Sequence, residues 1–397
     1  MAQRAAFIYE DSLSRHELRS DHPMRPVRLR YTYQLLQEYG AFDHPGAVLL
    51  DPRSATEEEL AWLHTPEYVA AVKALDSISS LADATRADAT RADATRADAT
   101  RADAARFGFS ANGDNPVYPG MYDAAALSTG GSLVAAEMVA SGEVDAAFNI
   151  SGGLHHAAAN HASGFCVFND PALAIHYFLN RGLRVAYVDI DAHHGDGVQE
   201  AFYRDDRVLT ISVHESGQYL FPGTGSVAEM GEGVGLGYSV NLPLYPYTGD
   251  DDYVESFKQI VPPLIKAFAP DVLVTQLGID SYHTDPLTHL QVTTEGYIEV
   301  VRELAGLGLP WLALGGGGYD VTAVARAWTL AYGAMLGIEW PDQLPAAFAR
   351  EHGAGRLRDD TSPEVPGHIK IEARRYVEES VAAIRQQIFP AHGLTAK

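Results

Sequence analysis

The chain has 397 residues, of which 46% are hydrophobic and 20% are charged, an ordinary composition for a globular protein with a large core. Its 52 acidic and 29 basic residues give a formal net charge of −23, which disfavours binding of nucleic acid or an anionic membrane by its general surface. The single cysteine, Cys166, excludes an intrachain disulfide and a thiolate-rich zinc site. The sequence has no apolar leader and no membrane-length apolar run, so we expect a cytoplasmic enzyme.

The first hundred residues are predicted to be mainly helical, with the best helical patterns at residues 26–40 and 56–78. Residues 82–106 repeat the pentapeptide ADATR four times and end in ADAAR. A five-residue period matches neither a helix nor a strand, and the segment offers a core no apolar side chain larger than alanine. We therefore interpret residues 82–106 as a mobile low-complexity insertion within one domain that spans residues 1–397, with a functional lid as the alternative.

From about residue 145 onward, short apolar runs alternate with helical patterns. This alternation predicts an α/β domain with a central, mostly parallel sheet covered by helices on both faces. In such sheets ligands bind outside the carboxyl ends of the strands, where the candidate residues of this half of the chain lie. The apolar runs are residues 146–150, 184–188, 207–213, 271–277 and 309–314, and the helical patterns are residues 171–182, 251–269, 294–308, 321–336 and 372–388.

The segment DIDAHHGDG, residues 189–197, places three aspartates and two histidines directly after a predicted buried strand. Alternate residues of an extended chain point the same way, so Asp189, Asp191 and His193 share one side. Asp191 and His193 can ligate a metal together with Asp280, which follows the apolar run DVLVTQL. We call Asp191, His193 and Asp280 the metal trio. Three ligands from two strand ends leave one coordination position open, which is typical of a catalytic metal site.

His155 and His156, here called the histidine pair, also follow a predicted strand. Adjacent histidines can be metal ligands, surface residues or proton carriers, and we favour proton transfer because the metal already has three ligands. Asp189 and Asp196 are then free to accept the far ring N–H groups of the pair, which fixes the tautomers and raises the basicity of the rings. Tyr319 follows four glycines at the end of another run, where its hydroxyl could donate a hydrogen bond to a developing oxyanion.

Several segments of the chain together resemble the zinc-dependent histone deacetylase family. They are GGLHHA, GFCVFND, YVDIDAHHGDGVQEAF, SVHESGQYLFPGTG, LGIDSYHTDPL and LGGGGY. With HPMRPVRLR and GDNPVYPGMYDAA, the chain most resembles the bacterial branch of the family, the acetoin-utilisation deacetylases. The resemblance covers nearly the whole chain apart from the repeat, and it implies a single arginase/deacetylase-like domain. It also implies hydrolysis of the acetyl amide of acetyl-lysine in cytoplasmic proteins, such as acetylated metabolic enzymes, or of small substrates such as acetylpolyamines.

The resemblance implies a role for each catalytic candidate. The metal trio is expected to hold Zn²⁺, with Fe²⁺ as the alternative, so that the metal polarises the acetyl carbonyl and activates a water. The histidine pair is expected to supply a general base and a general acid, in an order that the sequence leaves open. Asp189 and Asp196 would support the pair, and Tyr319 would polarise the acetyl carbonyl and stabilise the oxyanion.

The resemblance also implies a substrate tunnel and two monovalent cations, although two phenylalanines taken alone are more typical of a core. The substrate residues are Phe165 and Phe221 as walls, Gly164 and Leu287 beside them, Asp114 at the rim, and His22 and Arg28 near the floor. A structural K⁺ is expected at Ser212 and Val213 together with Asp189, Asp191 and His193. A second cation is expected at the carbonyl groups of Phe202, Asp205, Val208 and Tyr238.

The nearest alternative is an arginase-like ureohydrolase, a family with a similar D-A-H signature and two Mn²⁺ ions. A second metal requires further carboxylates, in a D-A-H-x-D segment and in a D-x-D pair that ends at Asp280. In this chain Gly195 occupies the position of the second aspartate in the first pattern, and Gly278 occupies the position of the first aspartate in the second pattern. Another alternative is a catalytically inactive, deacetylase-like binding module. Such a module would have lost a ligand or the tyrosine, and this chain retains both. The sequence leaves the oligomeric state open.

Overall fold

The computed structural model describes residues 3–76, 104–110, 113–353 and 355–396. Its centre is one eight-stranded sheet in the order β2-β1-β3-β8-β7-β4-β5-β6, and every pair of neighbouring strands is parallel. The predicted α/β class and parallel sheet are confirmed. The strands are β1 (Ala5–Ile8), β2 (Ala47–Leu50), β3 (Ala146–Asn149), β4 (Val185–Asp189), β5 (Val208–Glu215), β6 (Ser239–Leu244), β7 (Val272–Gln276) and β8 (Trp311–Leu314).

Helices connect these strands. In the described parts of the chain, none of them has the length and apolar character required to cross a membrane. Among the described residues, four short 3₁₀ helices lie at Asp11–Ser14, Ala41–Asp43, Gly233–Gly235 and Phe389–His392. The α-helices are α1 (Val27–Glu38), α2 (Glu57–Leu60), α3 (Pro66–Asp76), α4 (Met121–Ala140), α5 (Asp170–Leu179), α6 (Asp196–Phe202), α7 (Asp250–Phe268), α8 (Thr294–Ala305), α9 (Val321–Leu336), α10 (Ala346–His352) and α11 (Gly367–Gln387).

Both faces of the sheet are buried, as the alternate residues of β1 show. Ala5 and Phe7 belong to one hydrophobic cluster, whereas Ala6 and Ile8 belong to a second. Buried residues of α1 and of α7 to α11 complete the first cluster, and those of α2 to α6 complete the second. Helices therefore cover both faces, as predicted, and the carboxyl ends of the strands are left for polar side chains.

Five of the strands, β3, β4, β5, β7 and β8, coincide with the predicted apolar runs. β1 and β2 lie in the region predicted to be mainly helical, so that prediction is wrong for residues 5–8 and 47–50. Runs of four residues are too short for periodicity to separate a strand from a helix. β6 was not predicted either. It contains Pro243 and pairs only with β5, at the edge of the sheet, where a proline is tolerated.

The helical pattern of residues 56–78 forms two helices in the structure: α2 ends at Leu60 and α3 begins at Pro66. Proline is well suited to begin a helix but not to continue one, since it lacks a main-chain N–H. Helix α4 was not predicted, and it contains two adjacent glycines. A Cβ at Gly130 would lie 1.7 Å from the carbonyl oxygen of Arg53, so the close packing of α4 requires a glycine there.

Most of the predicted insertion, residues 82–103, lies outside the described residues, and its interpretation stays a prediction. At the described end of this segment, Ala104 is fully buried in the second hydrophobic cluster. Its carbonyl oxygen accepts the N–H groups of Phe107 and Phe109, which are buried as well. The end of the repeat nearest to Phe107 therefore belongs to the core of the domain.

Candidate active site

The strand order brings four loops to one edge of the sheet. Strands β3, β8, β7 and β4 are consecutive and parallel, so their carboxyl ends lie side by side. The loop after β3 carries the histidine pair, and the loop after β8 carries Tyr319. The loops after β4 and β7 carry the metal trio. Residues that are far apart in the sequence therefore meet at this edge, as predicted for a parallel sheet.

The side chains of the metal trio converge on one point. Nδ1 of His193 lies 2.8 Å from Oδ2 of Asp280 and 3.1 Å from Oδ1 of Asp191. The candidate ligand atoms of the three buried residues all lie within 4.8 Å of one another. Two carboxylates and one imidazole suit Zn²⁺, whose bonds to such ligands are about 2.0–2.2 Å long. The donor set therefore fits a single divalent metal ion.

The other carboxylate oxygens of the trio are held by hydrogen bonds. Oδ2 of Asp191 accepts Nε2–H of Gln276 at 2.6 Å and the main-chain N–H of Gly317 at 2.7 Å. Oδ1 of Asp280 accepts the N–H of Ala192 at 2.6 Å. A Cβ at Gly317 would lie 2.2 Å from Oδ2 of Asp280, so this close approach requires a glycine. These contacts fix the orientation of both carboxylates relative to the imidazole.

The trio attracts positive charge. Burial and the nearby charge of Asp191 raise the pKa of Asp280 well above its usual value. Burial lowers the pKa of His193, but its hydrogen bonds to the two carboxylates outweigh this effect and raise the pKa well above its usual value. Among the described residues, neither carboxylate has a lysine or arginine within ion-pair distance. Two adjacent buried carboxylates without such a partner are costly, so a bound metal cation would stabilise this arrangement.

Each ring of the histidine pair is bonded to a different aspartate. Nδ1 of His155 lies 2.7 Å from Oδ2 of Asp189, and Nδ1 of His156 lies 2.7 Å from Oδ1 of Asp196. The two Nε2 atoms are 3.0 Å apart. Asp189 also accepts the hydroxyl of Tyr187 at 2.6 Å. Both aspartates thus contact the histidine pair, and each can fix the tautomer of its histidine.

The two histidines have opposite protonation preferences. Burial lowers the pKa of His155, but the charges of Asp189 and Asp191 outweigh it and raise this pKa to about 9. Burial and the positive charge of His155 lower the pKa of His156 to about 4, despite its bond to Asp196. At neutral pH the pair of the metal-free protein therefore carries its positive charge on His155 and keeps His156 neutral.

Tyr319 lies close to the charges of the trio. It follows Gly318, whose φ of 130° is one that a glycine adopts without strain. The carbonyl oxygen of Gly318 accepts Nη1–H of the buried Arg28 at 2.9 Å. Burial raises the pKa of Tyr319 well above its usual value, and the charges of Asp280 and Asp191 act in the same direction. The Tyr319 hydroxyl therefore keeps its proton and can act as a hydrogen-bond donor.

Aromatic rings flank the histidine pair and the trio. The ring centroid of Phe221 lies 5.1 Å from that of His156 and 6.4 Å from that of His193. The ring of Phe165 packs edge-on against Tyr319 at 5.8 Å. A Cβ at Gly164 would lie 2.3 Å from Cδ2 of His156, so a side chain at this position would displace the imidazole. The predicted wall residues therefore lie next to the predicted catalytic residues.

The predicted rim is connected to one wall. Asp114 is exposed, and its carbonyl oxygen lies 3.1 Å from Nε2 of His22. The ring of His22 packs against Phe165, with the centroids 4.5 Å apart. His22 therefore links rim and wall, whereas Arg28 contacts the loop of Tyr319 as described above. Leu287 is partly buried, and its N–H donates to Asp285.

The residues predicted to bind K⁺ lie on adjacent strand ends. Asp189 of β4 is in register with Ser212 of β5, and Val213 is the residue after Ser212. At the second predicted cation site, two carbonyl groups already accept main-chain hydrogen bonds. The carbonyl of Phe202 accepts the N–H of Asp205, and that of Tyr238 accepts the N–H of Thr210. Both cation sites stay predictions.

Three residues that contact the site were missed by the sequence analysis, namely Tyr187, Gln276 and Asp285. Tyr187 lies two residues before Asp189 in β4, and a strand places such residues on the same side. Gln276 is a fully buried polar residue at the end of β7, and such a residue in an apolar run is a detectable signal. Asp285 lies within the segment SYHTDPL, but nothing in the spacing distinguishes it from an ordinary loop residue.

The fold and the site can be compared with known proteins. The family model described as the histone deacetylase domain matches residues 22–335. Acetoin utilization protein AcuC of Bacillus subtilis (strain 168) is 41% identical over 348 residues, which cover 86% of this chain and 84% of that protein. Histone deacetylase 1 of Homo sapiens is 36% identical over 345 residues, which cover 86% of this chain and 67% of that protein. The resemblance inferred from the motifs is thereby confirmed, and the chain belongs to the histone deacetylase family.

Proposed function

We propose that this protein is a zinc-dependent lysine deacetylase that hydrolyses the acetyl amide of acetyl-lysine in cytoplasmic proteins. The observation that carries the proposal is the juxtaposition of the metal trio with the histidine pair, in which His156 lies against Phe221 beside His193. A metal site, a proton carrier and an apolar wall are the components that amide hydrolysis of a long aliphatic side chain requires. Membership of the histone deacetylase family supports the same reaction class.

Asp191, His193 and Asp280 would hold the metal. When bound, Zn²⁺ supplies Lewis-acid polarisation of the acetyl carbonyl and lowers the pKa of a water molecule, and Fe²⁺ could take its place. Gln276 and the N–H of Gly317 would keep the Asp191 carboxylate in place by the hydrogen bonds described above. A divalent cation at the trio would also offset the pull of Asp191 on the proton of His155, which lies 4.0 Å away.

We assign the proton transfers to the histidine pair. His156 is the neutral member of the pair in the metal-free protein, and we assign to it the proton of the attacking water. The proton gained by the pair is then returned to the nitrogen of lysine as the amide bond breaks, so that the products are lysine and acetate. Asp196 and Asp189 hold the two rings in position through Nδ1. Tyr319 donates its hydroxyl proton in a hydrogen bond to the oxyanion that forms on the acetyl carbonyl.

The walls and the rim would select the substrate. Phe165 and Phe221, with Leu287, would enclose the aliphatic stem of lysine and exclude water from the reacting amide. The exposed Asp114 at the rim would accept hydrogen bonds from the substrate main chain, which favours polypeptides over acetylpolyamines. We also retain the K⁺ site at Ser212 and Val213, whose position beside Asp189 would stabilise the loop of the trio.

Gly195 and Gly278, the two glycines that disfavour a ureohydrolase, lie against carboxylates of the candidate active site. A Cβ at Gly195 would lie 2.4 Å from Oδ2 of Asp189, and a Cβ at Gly278 would lie 2.3 Å from Oδ2 of Asp191. Additional carboxylates at these positions would require the present ones to move. This argument supports one metal ion over the two Mn²⁺ ions of an arginase-like site.

The test measures acetate release from an acetyl-lysine peptide and from N-acetylspermidine, before and after removal of metal by a chelator. We expect higher kcat/KM for the peptide, loss of activity on chelation, and recovery with one equivalent of Zn²⁺ or Fe²⁺ per chain. Preferential hydrolysis of N-acetylspermidine would support the polyamine alternative. If the protein binds one equivalent of Zn²⁺ but releases no acetate from either substrate, the proposed function is wrong.

A further inference from the structure

The carboxylate of Asp285 joins two segments of the candidate active site. Its Oδ2 accepts the main-chain N–H of Tyr319 at 2.8 Å, and its Oδ1 accepts the main-chain N–H of Leu287 at 2.9 Å. Asp285 is 8% exposed, so water competes little for these hydrogen bonds. One side chain therefore links the main chain of the Tyr319 loop to that of the Leu287 loop.

The loop of Tyr319 needs such an external contact. It follows a run of four glycines, of which Gly316 and Gly318 have φ values of 125° and 130°. Glycines restrict the backbone less than any other residue, so the position of Tyr319 depends on contacts made by its neighbours. Arg28 holds the carbonyl of Gly318, and Thr284 donates its hydroxyl to Asp320 at 2.5 Å. Asp285 holds the main chain of Tyr319 itself.

The loop of Leu287 is held by Asp285 and, on the other side of Leu287, by Glu215. Two residues beyond Leu287, the N–H of His289 donates to Oε2 of Glu215 at 2.8 Å, and Nδ1 of His289 lies 2.8 Å from Oε1. Glu215 is fully buried, and its own N–H donates to the carbonyl of Ala192 beside the metal ligands. Leu287 therefore lies between two carboxylates, of which Asp285 also contacts the main chain of Tyr319.

We propose that Asp285 is a positioning residue that places the Tyr319 hydroxyl over the reacting carbonyl and Leu287 along the lysine stem. This inference rests on the proposed function, because it assigns the oxyanion contact to Tyr319. Asp285 does not contact the substrate in this proposal and acts through Tyr319 and Leu287. Displacement of a catalytic group by about 1 Å can reduce the rate by about a hundredfold, so a main-chain contact of this kind can matter for turnover.

Asp285→Asn is the sharpest variant, because it keeps the size of the side chain. An amide has a single acceptor oxygen, and its NH₂ group would face one of the two N–H donors. One of the two contacts is thus replaced by a repulsion, and the two loops should separate. Asp250→Asn is the matched control. The Asp250 carboxylate likewise accepts a main-chain N–H, that of Thr293 at 2.8 Å, and it also accepts the Thr293 hydroxyl at 2.7 Å. Asp250, however, lies at the start of α7.

The experiment is a double-mutant cycle of Asp285→Asn with Tyr319→Phe in the zinc-loaded protein. Turnover of an acetyl-lysine peptide is measured under single-turnover conditions, so that slow variants remain measurable. We expect Asp285→Asn alone to reduce the rate of the chemical step by about ten- to a hundredfold. In the Tyr319→Phe background, the same substitution should reduce it by less than threefold, because the group that it positions has been removed. Asp250→Asn should leave the rate near that of the parent.

Zinc content and thermal unfolding are measured for each variant to confirm that it is folded and loaded. Equal rate losses from Asp285→Asn in both backgrounds would mean a general structural role and would overturn the proposal, as would parental turnover in Asp285→Asn. If Asp285→Asn fails to fold, Asp285→Glu replaces it in the same cycle, since the longer side chain keeps both oxygens but shifts the loops. Absence of deacetylation in the parent protein would instead refute the proposed function.

Discussion

Two clusters of charged residues, one buried and one partly buried, lie near each other but satisfy their carboxylates in different ways. In the first, the metal trio, no lysine or arginine of the described chain lies within ion-pair distance. The second lies two residues beyond Asp280, where the Tyr282 hydroxyl donates to Asp359 at 3.0 Å. There Arg326 donates to the same carboxylate at 2.5 Å, and the N–H of Thr294 donates to its other oxygen at 2.9 Å.

The pKa values of Asp280 and Asp359, one carboxyl group from each cluster, are shifted in opposite directions. Burial acts to raise the pKa of both Asp280 and Asp359. For Asp359 the hydrogen bond and charge of Arg326 outweigh burial, and the pKa is lowered. For Asp280 the charge of Asp191 adds to burial, and the pKa is raised. The comparison teaches that a carboxylate paired with an arginine of the chain is stabilised in its charged form, whereas Asp280, which lies beside a second carboxylate, is suited to bind an external cation.

The largest expected effect concerns the trio. Asp191→Ala or His193→Ala should remove most of the bound zinc and lower kcat/KM by about a thousandfold or more, since metal polarisation is worth several kcal/mol. Elemental analysis and a peptide assay measure the two effects. Asp359→Asn is the matched control, because it alters a partly buried carboxylate that is paired with an arginine. Full zinc occupancy in Asp191→Ala would remove the distinction between the clusters.

A second prediction concerns the histidine pair, which borders the trio. His155→Ala and His156→Ala should retain zinc but lose about a hundredfold or more in kcat, as is usual for groups that transfer protons. The pKa of His155 is raised, so in the metal-free protein its ring should lose its proton in an alkaline limb centred at about 9, which NMR of the imidazole can follow. Asp189→Asn should move this alkaline limb to lower pH. Near-parental turnover in both alanine variants would show that another group carries the protons.

The smallest expected effect concerns the second cluster. Asp359→Asn should lower the free energy of unfolding by about 2 kcal/mol, less than for fully buried pairs because the Arg326 and Asp359 side chains keep 10% and 14% exposure. Zinc content and kcat should stay close to those of the parent. Since the pKa of Asp359 is lowered in the folded state, the difference in urea denaturation should be largest above the usual carboxyl pKa and vanish as the pH falls. A loss of zinc without a loss of stability would contradict the comparison.

The sequence predicted the part of the fold in which periodicity is clear. The strands β3, β4, β5, β7 and β8 are apolar runs that precede polar loops, and parallel pairing brings those loops to one edge. β1 and β2 were missed because four residues carry too little pattern, and the glycine-containing α4 is stabilised by packing against residues 53–55. In α4, tertiary contacts override the low helix preference of glycine.

For the site, the sequence predicted which residues meet but not what holds them. The metal trio and the histidine pair follow from residue type and from their positions after strands. Asp285 could not be predicted, because its role depends on two main-chain N–H groups that only the folded loops bring to its carboxylate. The opposite pKa shifts of His155 and His156 could not be predicted either, since both are adjacent histidines with an aspartate partner.

The order of the strands also determines when the metal site can form during synthesis of the chain. The carboxylate of Asp191 accepts the N–H of Gly317, which lies 126 residues further along the chain. Strand β1 is contacted by Tyr332, whose hydroxyl donates to the carbonyl of Ala5 across 327 residues. Contacts between such distant residues close large loops and make folding slow. A nascent chain that has emerged only as far as β5 contains Asp191 and His193 without Asp280, β7 or β8. Metal loading at the complete trio must therefore follow synthesis of the chain through β7 and β8, and a metal bound there would stabilise only a domain in which these strands are in place.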